Sequence, residues 1–485
     1  MRVYAAILCV AHLLAMVPAS IAAPQSAAPA SGIPAAASTD RDQVDLSVTV
    51  YNSNLALVKD VRQVQLPIGE SPLRFEDVAS SINPATVHFR SLTEPSKLSV
   101  IEQNYEYDLL DPQKLLRKYV GKEVTLVRQE QENNSTKWTE TKALLLADSD
   151  GPVWKIDNEI VTGLTADSYR FPDLPANLYS RPTLVWLLDN SGTHSQKVEA
   201  SYLTGDINWN ADYVLTVTRD ETLADLDGWV TLDNKSGAAF HNAQLQLVAG
   251  EVHRAPQPQP MMRANAGVLG GVIAPKQFAQ EAFGEYHLYT LDRRTSIENN
   301  ESKQINLLGA KSFLITKIYR VDSQGDYSQA APGEPDKPPV KVFFTFRNDA
   351  KSNLGIPLPA GTVRVYQADS AGRLQFAGED NINHTPKDED ISIYTGNAFD
   401  IVCERKQTDY KVIARRVSEA EWQITLRNHK DTPVNVEVRE TVGGDWEIVS
   451  TSVKGTKLDA NTLSFSVPVE KDASATLTYR IRAHW

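Results

Sequence analysis

The chain has 485 residues, 41% of them apolar and 23% charged, which at this length suits about three or four globular domains with ample core. It carries 49 Lys and Arg against 61 Asp and Glu with no basic block, a balance that excludes nucleic acid as an expected partner and disfavours anionic lipid. Only two cysteines are present, Cys9 and Cys403, so stability has to come from apolar cores rather than disulfides.

Residues 1–22 have the layout of a secretory signal peptide. Arg2 gives a positive start, Ala5 to Val17 is an apolar run broken only by His12, Pro18 ends it, and Ser20-Ile21-Ala22 offers small residues for cleavage. The run is too short to span a bilayer, and no later stretch is long enough, so no membrane span is expected after cleavage. The processed chain would lose Arg2 and no acid, leaving 48 basic against 61 acidic residues, or −13. An extracytoplasmic location, periplasmic or secreted, follows as an expectation. Cys9 would leave with the leader, and Cys403, inside Ile401-Val402-Cys403, reads as a buried, inert thiol. Residues 23–43, mostly Ala, Pro, Ser and Gly, read as a flexible tether.

Beyond the tether, period-two alternation dominates and predicts a mainly β protein of several β-sandwich, immunoglobulin-like domains. Residues 44–107 form a first β region. In 108–170 a helix starts at Asp111-Pro112, where Asp caps and Pro suits the first turn, and stops at Gly121. Strands near Val124–Arg128, Ala143–Ala147 and Val153–Ile156 complete a small helix-plus-barrel-like module. Residues 171–335 form a central sandwich, with Tyr202, Trp209 and Tyr213 as core aromatics. Its connection at 255–284 opens Pro256-Gln-Pro258-Gln-Pro260 and is expected to be structureless. Ala330–Pro339 marks a boundary, and 336–485 forms a C-terminal sandwich. There Trp422-Ile424-Leu426, Val434-Val436-Val438, Leu463-Phe465-Val467-Val469 and Leu477-Tyr479-Ile481-Ala483-Trp485 each alternate with polar residues. Trp485 is thereby expected to dock.

Candidate chemistry is sparse. The histidines are dispersed, with no helical i, i+4 pair, and no metal or other cofactor is expected. Asp148-Ser-Asp150-Gly151 and Asp225-Leu-Asp227-Gly228 read as turns rather than calcium loops. No nucleophile elbow, Ser-x-x-Lys or phosphate loop occurs. Asp220, Glu221, Asp225 and Asp227 lie beside Trp229, the residue types of a glycosidase, although a solvated loop with Trp229 in the core is the preferred reading. Glu379, Asp380 and His384 form a second set suited to proton transfer or, in the preferred reading, to tying a loop in place. Met261, Met262, Val268, Leu269 and Ile273 in the long connection are candidate partner-binding residues.

Several segments resemble the family called domain of unknown function 4139, related to the mucoidy-inhibitor-like bacterial proteins. They are Val50-Tyr51-Asn52 with Leu55–Lys59, Leu115–Val127, Tyr202–Val214, Asp227–Ser236, Asn242–Arg254, Tyr286–Leu291, Leu307-Leu308, Pro357–Gly361, Gly378–Pro386 and Gly396–Asp400. The mucoidy-inhibitor-like members carry a coiled-coil insertion, and here no heptads are sustained. The resemblance implies a β-rich, often exported bacterial protein with no established activity, which makes the Asn-x-Ser/Thr sequons incidental. Two function classes remain: a non-enzymatic envelope protein presenting loops to a protein or polysaccharide partner, which is preferred, and a glycan-directed hydrolase using a carboxylate pair.

Overall fold

The computed structural model describes residues 36–106, 110–132, 135–149, 151–175, 181–250, 252–253, 278–331 and 333–484. The expected leader, the tether up to residue 35 and Trp485 lie outside the described residues. The described chain is mainly β, with a single short α-helix at Pro112–Lys118. No helix in it is long and apolar enough to cross a membrane.

Alternating apolar residues build six sheets around three cores. The first and largest core joins three of the sheets and takes Phe344, Phe346, Ile391 and Ile393 from a fourth. One contains strands Gly69–Glu76, Thr183–Asn190 and Leu98–Glu106; the second runs from Tyr286–Leu291 through Phe240–Ala249, Gln43–Tyr51 and Leu55–Gln65 to Ser195–Thr204. The third is a five-stranded sheet in the order Glu301–Leu314, Leu223–Asn234, Ile207–Val217, Gly361–Ala368, Leu374–Ile382. The second core lies between a six-stranded sheet containing Lys341–Arg347, Thr316–Gln324, Val434–Thr441 and Thr462–Val469, and a four-stranded one in the order Ile401–Ala414, Val417–Asn428, Ala473–His484, Asp445–Thr451. The third core belongs to the small module: Leu116 and Tyr119 of the helix pack with Val124, Leu126, Leu145 and Trp154 of an open five-stranded sheet. Asp111 caps the helix by accepting from the Gln113 and Lys114 amides at 2.9 Å, and Gly121 ends it at φ +82°.

The cores divide the chain differently from the boundaries read along the sequence. Strands Leu98–Glu106 and Thr183–Asn190 pair with each other, so the small module is inserted between neighbouring strands of the first core. Thr316–Gln324 belongs to the second core, whereas Gly361–Ala368 and Leu374–Ile382 return to the first. Two segments expected to lack structure contribute strands. Ala36–Ser38 runs parallel to Leu73–Phe75, and the following turn is capped by Thr39. Phe278–Phe283, the end of the long connection, pairs with Tyr286–Leu291 through a turn in which Gly284 has φ +58°.

Four buried asparagines close strand ends in one way. Asn190, Asn234, Asn348 and Asn428 each end an apolar alternation, such as Leu184-Trp186-Leu188-Asn190 or Ile424-Leu426-Asn428, and so point inward. Each amide nitrogen donates to carbonyls of the returning chain: Asn190 to Leu66, Pro67 and Thr193, Asn234 to Ala238 and Glu298, Asn348 to Ile356 and Pro386, Asn428 to Thr432, Val469 and Glu470. Each side-chain oxygen accepts a backbone N–H from the turn that follows. The side chains thus satisfy backbone groups that strand pairing leaves over.

Both large cores bury an arginine. Arg62 lies against Asp60 at 2.8 Å with its guanidinium 3.6 Å above the Phe75 ring. Arg405 makes two bonds to Glu440, at 2.8 and 2.9 Å, and sits 3.5 Å above Trp422. Breaking such a pair from one side strands a charge. Glu440→Gln is expected to cost about 3–5 kcal/mol in urea unfolding, and pairing it with Arg405→Met to recover much of the loss.

Candidate functional site

Strand Leu223–Asn234 turns Ala224, Leu226, Val230 and Leu232 inward, which leaves Asp225, Asp227, Trp229 and Thr231 on the outer face of the five-stranded sheet. Trp229 is therefore not a core residue; it is 38% exposed. Gly228 beside it allows the neighbouring strand to come close, since a Cβ there would lie 2.7 Å from Leu308.

Strand register carries this outer face across the sheet. Trp229 stands opposite Asp212, Asp212 beside Thr362, and Arg364 opposite Glu379. A polar row results. Thr231 donates its hydroxyl to Asp212, Arg364 reaches Asp212 at 3.2 Å and Glu379 at 3.5 Å. Towards one end, Lys311 bridges Asp225 at 3.2 Å and Asp227 at 2.9 Å. Further along, Tyr366 and Phe376 meet edge to face with ring centroids 5.7 Å apart, and Phe376 is 56% exposed. The face thus presents aromatic rings set among paired carboxylates and cations.

The sequence-derived sets are partly joined and partly scattered. Asp225, Asp227 and Trp229 share this face with Glu379, which the sequence placed in a different set. Asp220 lies in the adjoining turn, where the Thr218 and Thr222 hydroxyls hold its carboxyl below the usual carboxylate range. Glu221 in the same turn has φ +60° and accepts from Lys317 at 2.6 Å and Gln367 at 3.1 Å. Glu379, Asp380 and His384 do not converge. Asp380 accepts the Tyr394 backbone N–H at 2.7 Å, a contact from strand to strand, and His384 accepts the Ala360 N–H on Nδ1 at 3.1 Å, between two loop positions. Asp212, Arg364, Tyr366 and Phe376 were missed. Outward parity beside Trp209 and Tyr213 could have signalled Asp212, but only the parallel pairing with Gly361–Ala368 brings Arg364 to it.

His384 instead lines a cavity of about 260 Å³ with His287, Tyr289, Glu285 and Pro357, at the root of the long connection. Four segments of the family resemblance line it, and a fifth, Tyr202–Val214, bonds to two of them. Tyr213 and Tyr289 donate their hydroxyls to the Pro359 and Pro357 carbonyls at 2.9 and 3.1 Å, and Trp209 donates to the Val248 carbonyl at 3.3 Å. Burial pushes both tyrosines well above their ordinary value, so they remain donors rather than bases. Met261, Met262, Val268, Leu269 and Ile273 lie outside the described residues. Among the described residues no group of three or more His, Cys, Asp or Glu could hold a metal ion.

Cys403 is buried, and burial, with Glu440 adding to it, pushes its thiol up to about 12. An unfolded thiol ionises near about 8.5. Below that pH both states keep the proton; between there and about 12 only the unfolded state releases it, so this group withdraws stability as pH rises. In the chain from Ala23 onward, a maleimide at pH ~8 is expected to label Cys403 only at the rate of unfolding, and fast labelling of the folded protein would contradict this.

A family model described as Domain of unknown function (DUF4139) matches residues 198–483, more than half of the chain and all of the outer-face residues above. No curated protein matches the chain.

Proposed function

We propose that this chain, which belongs to the DUF4139 family, is an exported, non-enzymatic envelope protein that binds a glycan through the outer face of its five-stranded sheet. The observation that carries the reading is the exposed Trp229 ring among Asp212, Asp227 and Thr231. An indole offers a flat apolar platform for the C–H face of a sugar, and the surrounding side chains are donors and acceptors for its hydroxyls. Their ion pairs hold them in place before a ligand arrives, which lowers the ordering cost of binding.

The hydrolase reading draws less support from the same residues. Inverting and retaining mechanisms both need two carboxyls across one scissile bond. Glu379 and Asp380 are neighbours on a strand and face opposite ways, Asp380 is spent on a backbone amide, and Glu379 and Asp212 share one guanidinium. Export rests on the N-terminal sequence, with Arg2, the apolar run Ala5–Val17 and the small residues at Ser20 and Ala22. It is tested by the mass of the protein isolated from its own cells, which cleavage after Ala22 fixes.

Binding is tested by affinity electrophoresis and sedimentation of the chain from Ala23 onward with isolated envelope polysaccharides. Trp229→Ala is expected to weaken retention by about tenfold while stability stays within about 0.5 kcal/mol, as for other surface changes. Equal retention of Trp229→Ala would remove the outer face from consideration. Saccharide that shortens with time, and stops shortening in Glu379→Gln, would replace binding with hydrolysis.

A further inference from the structure

We propose that the hairpin tip Lys411–Arg416 is a docking element for an anionic phospholipid surface. The tip joins the edge strand Ile401–Ala414 to Val417–Asn428, and every residue from Lys411 to Arg416 is exposed. It presents two consecutive branched apolar residues, Val412 at 70% exposure and Ile413 at 50%. Neither belongs to any of the three cores.

The charge around this apolar pair is opposite to that of the protein. The chain as a whole carries −12, yet Lys411, Arg415 and Arg416 surround Val412 and Ile413. Of the nearby acids, Asp409 is held by Lys411 at 3.0 Å and Arg480 at 2.7 Å, and Glu419 by Arg482 at 2.7 Å. At the base of the tip, Val417 pairs with His484, and His484 with Asp445. Among the described residues Arg415 and Arg416 have no ion-pair partner. Most other arginines among the described residues do, so two free guanidiniums on one turn are a local exception.

The turn chemistry points the same way. Hairpin turns that need a left-handed residue favour Gly, Asn or Asp. Here Arg416 takes that position at φ +62°, and the strand carries a register shift between Val412 and Ala414. Nothing in the packing requires Arg there. Cations at the rim of a short apolar projection match a bilayer surface, where phosphates meet the guanidiniums and the aliphatic side chains enter the acyl boundary. A soluble polyanion would use the charges and leave Val412 and Ile413 in water.

The test uses the chain from Ala23 onward, so that the apolar run Ala5–Val17 cannot itself enter a bilayer. Co-sedimentation is measured with vesicles of phosphatidylcholine mixed equally with phosphatidylglycerol, and with phosphatidylcholine alone. Binding to the mixed vesicles is expected, at least about tenfold weaker on neutral ones. The double changes Arg415→Glu with Arg416→Glu, and Val412→Ser with Ile413→Ser, are each expected to lower it by at least about tenfold. Melting temperature should stay unchanged in both, since all four side chains are exposed. No binding to mixed vesicles, equal binding to both vesicle types, or wild-type binding by either variant would each overturn the proposal. So would equal affinity for soluble polyglutamate that survives Val412→Ser with Ile413→Ser, which would assign the tip to an acidic polymer. Because Trp229 is on another sheet, glycan retention and vesicle binding fail independently.

Discussion

A guanidinium buried over an aromatic ring and closed by one carboxylate organises each of the two large cores. Removing an arginine from water is costly unless its donors are met, so its surroundings have to be fixed in position. Arg405 shows how far this reaches. Its partner Glu440 also accepts from Ser323 and from Tyr327 at 3.2 Å, and its own backbone exchanges bonds with Asp336 at 2.8 Å in each direction. These contacts gather strands Thr316–Gln324, Ile401–Ala414 and Val434–Thr441 with the segment leading into Lys341–Arg347 around one charge. Arg62 does the same at the other end of the chain: its 3.0 Å bond to the Ser38 carbonyl pins residues whose composition alone suggested a loose tether. In a chain without a disulfide among its described residues, these pairs, with the four asparagine closures, supply specific alignment that apolar burial does not.

Strand existence was legible and strand partnership was not. Leu463-Phe465-Val467-Val469 and Val434-Val436-Val438 alternate, and they form strands with those faces buried. The helix could be read to its cap because its determinants, Asp111, Pro112 and Gly121, are local. Partnership depends on side chains that meet only in the folded chain. Gln43–Tyr51 runs parallel to Phe240–Ala249, Ile207–Val217 to Gly361–Ala368, and Thr316–Gln324 to Val434–Thr441. Each such crossover joins segments over a hundred residues apart, and no local signal announces it. Linear boundaries at 335 and 336 therefore could not describe cores that exchange strands.

The candidate site shows the same division at the level of side chains. Trp229 has the parity of Asp225 and Asp227 rather than of Leu226, Val230 and Leu232, so its outward position was present in the alternation. A tryptophan is so often a core residue that this prior outweighed the pattern. The meeting of Asp212, Arg364 and Glu379 was hidden for another reason: they stand on three strands, one of which joins the sheet by a parallel pairing across the chain. Glu379 and Asp380, adjacent in sequence, were the more natural pair to suspect. Strand geometry alone separates them, because neighbouring residues project to opposite faces.

The family match begins at residue 198, yet no core begins there. Strand Ser195–Thr204 is paired along its length with Leu55–Gln65, and Gln244–Val248 with Ser47–Tyr51. Val48, Val58, Phe75 and Trp186 are buried in the same cluster as Tyr213, Leu232 and Val363. The matched region thus lacks one wall of its own first core, and residues 36–106 with 183–197 supply it. The small module differs, since its core is its own and the chain enters and leaves it through two paired strands. An insertion of that kind can vary without disturbing its host. The N-terminal strands cannot, because the five-stranded sheet whose outer face carries Trp229 rests its inner face on the core that they complete.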